Sequence, residues 1–355
     1  MRTLRVIGNL ERGGGQLSAL RLGLALRRRG WEVRFAVGSA TTDGLELFRS
    51  YGVEVELYGA PRNLQYLTDP GFAMWLGPRF AEVDIVHAHQ FGAWWAASQS
   101  AGDDVLVAGS EHNAYQWPAD PPLAELARAL ARLDLLFVHG PTARRELLAL
   151  GAHAALLREG RSAIDEVEPA LALQGRDRAR IVYAGRLHPE KGPDILLEAL
   201  ARLRRRVTVQ LIGSGPAEAA LRERARVLGL DDLVHFAGWQ RDPARWIAGA
   251  SVCAVPSRFD AWSQTAVLAM ALRVPVVGAA VDGLAEVVSG GRGLAVAPES
   301  PEALARAIAA VLDGRAAIDI DAAQRYATLF TADAVVDVYE RCYAELLRER
   351  HARAA

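Results

Sequence analysis

Short apolar runs alternate with segments of helical period along the whole chain. A run of about four to eight apolar residues is typical of a buried strand, and apolar residues at three- and four-residue spacing are typical of an amphipathic helix. Helices are predicted at 16–29, 141–150 and 332–350. Strands are predicted at 4–8, 32–37, 53–57, 84–87, 105–109, 135–138, 154–157, 180–184, 208–212, 234–236, 251–255, 274–278 and 293–296. This alternation predicts parallel β-sheets with helices on both faces, joined by right-handed crossovers.

One stretch, 159–178, interrupts this rhythm, because it is polar and contains Pro169 and Gly175. It therefore predicts a linker between two doubly wound α/β domains. The predicted parts are a first domain at 1–165, a second domain at 175–330 and a final helical segment at 331–355. Ligands are expected at the carboxyl ends of the strands, where open α/β sheets bind them.

Composition and charge narrow the class of protein. The 355 residues suffice for two domains with cores of their own, and 51% hydrophobic with 23% charged residues is typical of a globular protein. A net charge of −1 argues against a general nucleic-acid binder. The only two cysteines, Cys253 and Cys342, predict no disulfide framework, and Cys253 is expected to be a buried thiol. Neither a secretory signal nor a long uncharged apolar window is evident, which predicts a cytoplasmic protein.

The stretch 255–288 is the most informative about ligand binding. A predicted strand ends at Pro256, the carboxylate of Asp260 follows, a helix opens near Ser263, and a turn is expected at Asp282–Gly283. The N-terminus of a helix offers free backbone N–H groups and a partial positive charge, which suit a phosphate. A carboxylate ahead of it suits hydroxyl groups. A diphosphate beside a polyol describes a nucleotide sugar.

Two further segments could contact a ligand. One carries positive charge, and the other contains glycines that would let a ligand come near the backbone. Arg186 and Lys191 follow the strand at 180–184, and a guanidinium fork and an ammonium both suit phosphate oxygens. Gly213 and Gly215 follow the strand at 208–212, where glycine would let a ligand come near the backbone. From spacing alone, two solvated surface cations remain the alternative for the first pair.

These three segments together resemble the donor-binding motifs of the retaining, family-4 glycosyltransferases with the GT-B fold. The segments are A-G-R-L-H-P-E-K-G at 184–192, G-S-G-P at 213–216 and V-P-S-R-F-D-A-W-S-Q-T-A-V-L at 255–268. The resemblance implies two Rossmann-like domains that face each other across a cleft, with the last helix crossing back to the first domain. It also implies transfer of a hexose-type sugar from a nucleoside-diphosphate sugar, for which UDP is the favoured nucleotide, with no cofactor. No metal is expected, because Arg186, Lys191 and the helix N-terminus would already neutralise the diphosphate.

The resemblance implies roles for individual residues. Arg186 and Lys191 would stabilise the leaving diphosphate, and Asp260 and His112, within S-E-H-N, would position the reacting sugar, so these four are the predicted catalytic residues. The triple glycine at 13–15 resembles the family's N-terminal glycine loop. The predicted donor-binding residues are Gly14, Gly15, Gly213, Gly215, Trp239, Gln240, Trp262, Ser263, Gln264 and Thr265. For Trp239, contact with the base and plain packing are equal alternatives, and a structural role is the alternative for His112.

The chain departs from the family's pattern at the ribose. The family places two glutamates eight positions apart, whereas this chain has Asp260 and Leu268. Ala261 and Ser263 replace the usual turn glycines. Ribose recognition is therefore expected to differ, and Gln264 or Thr265 is the hypothesis for the missing contact. A nucleotide-sugar-binding protein without transferase activity remains the alternative function.

The acceptor is predicted from polar residues after strands of the first domain. The carboxylates of Glu11 and Glu111 would favour a cationic acceptor such as an aminocyclitol or another small natural-product intermediate. His89 and Asn113 are the other two predicted acceptor-binding residues. Solvated loop charges are the alternative for the glutamates, and His87 is expected to be buried. A lipid or polysaccharide acceptor is the second hypothesis, to which a membrane-docking role of the arginines at 27–29 would belong. The D-x-D sequence at 319–321 is interpreted as a chance match.

Overall fold

The computed structural model describes residues 1–102, 104–112, 123–172 and 177–354. The chain divides into two compact units, which are described separately. Unit one comprises Met1–Ala163 and Ala332–Ala355, and unit two comprises Ile164–Thr331. Within the described ranges, no helix combines the length and the apolar character needed to cross a membrane.

Unit one contains a seven-stranded sheet in which all neighbouring strands run parallel, in the order β3-β2-β1-β4-β5-β6-β7. The strands are β1 Arg2–Leu10, β2 Glu32–Ala40, β3 Glu56–Leu57, β4 Ile85–His89, β5 Leu106–Glu111, β6 Leu135–Val138 and β7 Leu157–Glu159. The helices are α1 Gly14–Arg28, α2 Thr42–Ser50, α3 Pro70–Leu76, α4 Phe91–Ser100, α5 Leu123–Leu130, α6 Pro141–Ala149 and, after unit two, α15 Ala332–Ala354.

The central strands of unit one are buried on both faces. Eight of the nine residues of β1 are buried, and the whole of β4 and β5 is buried as well. A parallel sheet covered by helices on both sides requires this, which is why its strands appear in the sequence as nearly continuous apolar runs. Trp94 on α4 and Phe72 on α3 are among the largest side chains of the core on one face.

The last helix, α15, completes the other face of the same unit. Arg29 at the end of α1 forms ion pairs with Asp337 and Glu340 of α15, at 2.7 and 2.5 Å. The indole N–H of Trp31 donates to Glu340 at 2.7 Å. Tyr339 and Tyr343 on the same helix are almost fully buried. The C-terminal helix is therefore part of the core of unit one.

Unit two contains a six-stranded parallel sheet in the order β10-β9-β8-β11-β12-β13. The strands are β8 Asp177–Ala184, β9 Thr208–Ile212, β10 Val234–Gly238, β11 Ala250–Val255, β12 Val276–Ala279 and β13 Leu294–Val296. The helices are α7 Pro169–Ala172, α8 Pro193–Leu200, α9 Glu218–Val227, α10 Pro243–Ile247, α11 Gln264–Ala271, α12 Asp282–Val288, α13 Pro301–Leu312 and α14 Ile320–Ala327.

Three local expectations were wrong. The strand expected at 53–57 is confined to Glu56–Leu57, because the N–H of Val53 donates to the carbonyl of Phe48 in α2 at 3.1 Å instead of pairing in the sheet. Residues Ala154–Leu156 form a 3-10 turn rather than the start of a strand, and β7 begins only at Leu157. The side chain of His153 accepts the N–H of Ala155 and starts that turn, which an apolar count does not register. The expected turn at Asp282–Gly283 is the first turn of α12, entered through a positive φ of 36° at Asp282.

Candidate functional site

In unit two, Lys191 and Asp260 lie together after the carboxyl ends of β8 and β11. The Lys191 ammonium is 3.2 Å from the Asp260 carboxylate, and it also donates to the carbonyl oxygen of Phe259 at 3.4 Å. The second carboxylate oxygen of Asp260 accepts from the hydroxyl of Ser257 at 3.1 Å. The Asp260 side chain is only 8% exposed and that of Lys191 is 24% exposed. The structure therefore brings together two groups that the sequence assigned to phosphate and to sugar hydroxyls.

Arg186 lies in the same loop as Lys191 but is more open. Its guanidinium donates to Glu190 at 3.2 Å, and its side chain is 41% exposed. Its backbone carbonyl accepts from the Tyr183 hydroxyl at 2.7 Å, which ties the loop to the end of β8. Burial, and then the negative charge of Asp260, raise the pKa of Tyr183, so this hydroxyl stays a donor. An exposed cation on a fixed backbone is suited to reach a ligand.

Helix α11 begins where the sequence predicted. Ser263 is its N-cap, and the Ser263 hydroxyl accepts the N–H of Ala266 at 3.3 Å. The hydroxyl of Thr265 donates to the carbonyl of Ala184 at the end of β8, at 2.8 Å. The ring of Trp262 packs against Phe330, with centroids 4.5 Å apart. Trp262 and Thr265 thus hold this helix against its own unit through their side chains, which leaves backbone N–H groups as the part suited to a phosphate.

Leu268, at the position of the family's second carboxylate, belongs to the hydrophobic core of unit two. It is 5% exposed and lies among Val267, Met270 and Leu284 in one apolar cluster. A carboxylate at this position would be costly unless the neighbouring residues also changed. The departure from the family's pattern is therefore built into the packing.

Gly213 and Gly215 allow the loop after β9 to lie close to the loop after β8. Gly213 has φ +137°, and a Cβ there would lie 1.9 Å from the carbonyl oxygen of Gly185. A Cβ at Gly215 would lie 2.5 Å from the carbonyl oxygen of Leu187. These contacts, together with the Leu187 N–H bond to the carbonyl of Ser214 at 2.9 Å, fix the loop that carries Arg186. The glycines therefore have a structural reason in addition to the predicted ligand contact.

Trp239 and Gln240 follow β10. The side-chain amide of Gln240 donates to the carbonyl of Ala237 at 2.7 Å, so part of it is engaged within its own loop. Trp239 is half-buried. Their assignment to the nucleobase remains a prediction.

Arg258 is a residue of this region that the sequence reasoning missed. It lies two positions before Asp260 and forms two hydrogen bonds with the carboxylate of Asp194 on α8, at 2.9 and 2.7 Å. Burial raises the pKa of Asp194, but the hydrogen bonds and charge of Arg258 outweigh it and leave that pKa below its ordinary value. The signal in the sequence was the P-S-R-F-D context, but a single arginine there also fits a solvated surface charge.

In unit one, four buried histidines lie side by side. His89 and His112 are joined through Nδ1 and Nε2 at 3.4 Å, and the rings of His112 and His139 are 4.1 Å apart. The rings of His87 and His89 stack at 4.6 Å. Fully buried Arg5 donates to Nε2 of His89 at 2.7 Å, so that nitrogen carries no proton.

The surroundings of the four histidines keep them neutral. Burial, and then the positive charge of Arg5, lower the pKa of His112 to about 4. Burial is also the main cause that lowers the pKa of His87, His89 and His139 well below the ordinary value. His89, expected to face the acceptor, is buried like His87. Neutral imidazoles can donate and accept hydrogen bonds, but they offer no fixed charge.

The other predicted residues of unit one divide between the start of α1 and the interior. A Cβ at Gly15 would lie 3.7 Å from the ring of His112, so the glycine loop, with Gly14 as the first residue of α1, adjoins that histidine. The carboxylate of Glu111 is fully buried and accepts from the indole N–H of Trp94 at 3.2 Å. Glu11 accepts from Asn9 at 3.4 Å. Asn113 lies outside the described residues.

Two charged motifs have local partners. Asp319 caps α14 by accepting the N–H of Ala322, and Asp321 pairs with Arg273 at 2.7 Å. Of the arginines at 27–29, Arg27 donates to the carbonyl of Val33, and the next two pair with carboxylates of α15. Across the described ranges, no group of three or more His, Cys, Asp or Glu side chains is placed to hold a metal ion.

Two family models match separate parts of this chain. A family model described as "Glycosyl transferases group 1" matches residues 178–314, and one described as "Glycosyltransferase Family 4" matches residues 12–158. The first match covers both loops that meet at Lys191 and Asp260. The second covers the glycine loop and the four histidines.

Two similar proteins are named as glycosyltransferases. The chain is 36% identical over 198 residues to the D-inositol 3-phosphate glycosyltransferase of Nocardioides, a stretch of 48% of this chain and 43% of that protein. It is 32% identical over 313 residues to the enzyme of the same name from Mycolicibacterium smegmatis, covering 79% of this chain and 67% of that one. The match to the Nocardioides protein thus spans less than half of its length.

A solved structure shows the same fold. The chain superimposes on Anabaena HepE in complex with UDP with a TM-score of 0.79 at 21% identity, over 97% of this chain and all of that one. This likeness and the two parallel sheets confirm the predicted GT-B architecture. Together with the two family models and the Mycolicibacterium relative, it establishes that the chain belongs to the glycosyltransferases of group 1 and family 4, with the GT-B fold.

Proposed function

We propose that this protein transfers a hexose-type sugar from a nucleoside-diphosphate sugar to a hydroxyl group of a small acceptor, with retention of the anomeric configuration. The observation that carries the proposal is the meeting of Lys191 and Asp260, 3.2 Å apart, after the ends of β8 and β11. Arg186, 41% exposed in the same loop as Lys191, adds a second cation. The start of α11 adds backbone N–H groups.

The chemistry needs a group that accepts growing negative charge. As the bond between the anomeric carbon and the phosphate oxygen breaks, the diphosphate gains charge, which Lys191 and Arg186 stabilise. The acceptor oxygen forms the new bond to the same face of the anomeric carbon, and its proton passes to the leaving phosphate oxygen. Asp260 binds sugar hydroxyls as an acceptor of hydrogen bonds. Two cations and a helix N-terminus can neutralise the diphosphate, so we propose transfer that does not depend on a metal.

The acceptor class is proposed from the relatives. Those named here are D-inositol 3-phosphate glycosyltransferases, which supports a cyclitol or its phosphate. An acceptor with an amino group is less well supported, because the Glu111 carboxylate, which was expected to favour a cation, is buried against Trp94. The UDP complex of HepE supports a UDP-sugar donor.

The first experiment is a thermal-shift panel with UDP, GDP, dTDP, ADP and CDP. A ligand that binds only the folded state raises the melting temperature. One nucleotide should stabilise the protein clearly, and its sugar conjugates are then assayed for transfer to myo-inositol and to inositol 3-phosphate. A flat panel would contradict the proposal.

The burial of Leu268 favours one alternative, a protein that binds nucleotide sugars without transferring them, because a ribose contact of the family is absent. The two functions differ in slow hydrolysis of the donor. An enzyme should release nucleoside diphosphate in water without acceptor, and Lys191→Ala should abolish that release. Nucleotide binding without any donor hydrolysis would favour the alternative.

A further inference from the structure

Arg258 connects three parts of unit two. Its guanidinium donates to Asp194 through two bonds, to the carbonyl of Pro189 at 2.6 Å and to the Glu299 carboxylate at 2.6 Å. Its backbone N–H donates to the carbonyl of Glu190 at 2.7 Å. The side chain is 22% exposed. Among the described residues of the loop after β11, no other side chain forms as many hydrogen bonds as that of Arg258.

The partners of Arg258 lie on both sides of Lys191 in the sequence. Pro189 and Glu190 precede Lys191, and Asp194 follows it in the first turn of α8. Arg258 itself lies two residues before Asp260 in the loop after β11. One guanidinium therefore fixes the backbone that carries Lys191 relative to the backbone that carries Asp260.

The strength of this connection comes from its geometry. A planar guanidinium matches a carboxylate with two parallel hydrogen bonds, a geometry that the ammonium of a lysine does not offer. The guanidinium also donates to the carbonyl of Pro189, which is uncharged, so this contact depends on hydrogen-bond geometry and not only on charge. Lys191 has a flexible side chain, so the position of its ammonium depends on where its backbone is held.

We propose that Arg258 is a positioning residue for the diphosphate: it locks the loop of Lys191 to the loop of Asp260, so that the ammonium meets the phosphate in one geometry. The inference rests on the proposed function and extends it to a residue outside the expected ligand contacts. Arg258 acts through Lys191, so its contribution should vanish when the ammonium is removed.

The test is a double-mutant cycle read by binding. UDP and uridine affinities are measured by calorimetry for the wild type, Arg258→Ala, Lys191→Ala and the double variant. Arg258→Ala should weaken UDP by about tenfold, which is within the range of coupling between groups of one network. Uridine affinity should be unchanged, because it has no diphosphate. In the Lys191→Ala background the further loss of UDP affinity should fall below about twofold.

A matched control uses Arg245, which pairs with two carboxylates, Asp242 and Glu168, at 2.8 and 2.9 Å elsewhere in unit two. Arg245→Ala should leave UDP affinity unchanged. Arg258→Lys keeps the charge but loses the fork, so it should restore UDP binding only in part.

Different failures point to different errors. Equal loss of UDP and uridine affinity in Arg258→Ala, or equal loss of UDP affinity with and without Lys191, would overturn the positioning role. If Arg258→Ala does not fold, Arg258→Lys and Asp194→Asn carry the same cycle. A wild-type protein that binds no nucleotide in the panel would instead refute the proposed function.

Discussion

The two units place their polar residues in opposite environments. In unit two, Arg186, Lys191 and Arg258 are cations in loops, each partly exposed and each bonded to a carboxylate. In unit one, the polar cluster of Arg5 and four histidines is buried within the sheet and beneath α15. The first arrangement keeps charge available to a ligand, whereas the second depends on burial for its protonation state.

A substitution should therefore impair a different property in each unit. Surface ion pairs add little to stability, so removing a cation from unit two should affect ligands more than folding. Buried side chains contribute packing and satisfied hydrogen bonds, so changes in unit one should affect folding more. Four predictions test this contrast.

The largest expected effect is on stability in unit one. Tyr343→Ala removes a fully buried ring that contacts Trp31, His87 and Phe137, and should lower the free energy of unfolding by about 3–5 kcal/mol. Chemical denaturation measures it. Tyr343→Phe keeps the ring but loses the hydroxyl bonded to His87, and should cost about 1 kcal/mol. Similar small losses for both variants would show that α15 is not part of the core.

The next effect is on activity in unit two. Lys191→Ala should reduce kcat/KM for sugar transfer by about 100- to 1000-fold, the range for loss of one group that stabilises charge in the transition state. The free energy of unfolding should fall by no more than about 2 kcal/mol, because the largely buried Asp260 loses its cation but keeps its bond to Ser257. Steady-state kinetics and denaturation on one sample give both values. A large loss of stability with normal activity would reverse the contrast between the units.

Two glycines, Gly213 in unit two and Gly15 in unit one, allow a direct comparison of the units. Gly213→Ala should destabilise unit two by about 2 kcal/mol, because its φ is +137° and the new Cβ meets a backbone carbonyl at 1.9 Å. Gly15→Ala in α1 meets only side-chain atoms at 3.7 Å or more, and should leave stability equal or raise it by about 0.5 kcal/mol. Thermal melting of the two variants measures the difference. Equal destabilisation would contradict the close approach at Gly213.

Per unit of pH, the pH dependence that His112 gives unit one is a smaller effect than Tyr343→Ala, Lys191→Ala or Gly213→Ala. Burial lowers the pKa of His112 to about 4 in the folded state, against an ordinary value of 6.5. The unfolded state thus binds more protons between these values, so the stabilising contribution is complete above pH 6.5 and is lost as the pH falls from 6.5 towards 4. The slope from this group approaches about 1.4 kcal/mol per pH unit.

Denaturation from pH 7 to 4.5 tests that slope. His112→Gln should reduce the slope by up to about 1.4 kcal/mol per pH unit, because the other three buried histidines keep their own contributions. Replacing the exposed His235 of unit two by Gln should leave the slope unchanged. If both variants keep the wild-type slope, the buried imidazole is not the source of the dependence.

Much of the fold was predictable because parallel strands buried on both faces appear as apolar runs. Strands β6 and β9 have the predicted bounds. Errors arose where a polar side chain or an unusual backbone angle decided the structure, as at His153 and Asp282. An apolar count contains no information on such local hydrogen bonds.

The candidate site was predictable only where its residues are contiguous in sequence. Lys191 and Asp260 lie in short motifs, and the sheet order brings those motifs together. The buried cluster draws Arg5, His112 and Tyr343 from parts of the chain more than 100 residues apart, and only strand register and helix packing reveal it. Arg258 was missed because its partners lie 64 to 69 positions upstream and 41 positions downstream in the sequence.

The contribution of α15 to unit one has a consequence for synthesis. Residues 1–163 of unit one are synthesised before unit two, but the core of unit one lacks Tyr339 and Tyr343 until residues 332–354 are synthesised. Unit two, whose residues are continuous from 164 to 331, can complete its own core earlier. Of the two units, the one whose synthesis starts earlier is therefore completed later, and until then its arginine and histidines remain accessible to water and to chaperones.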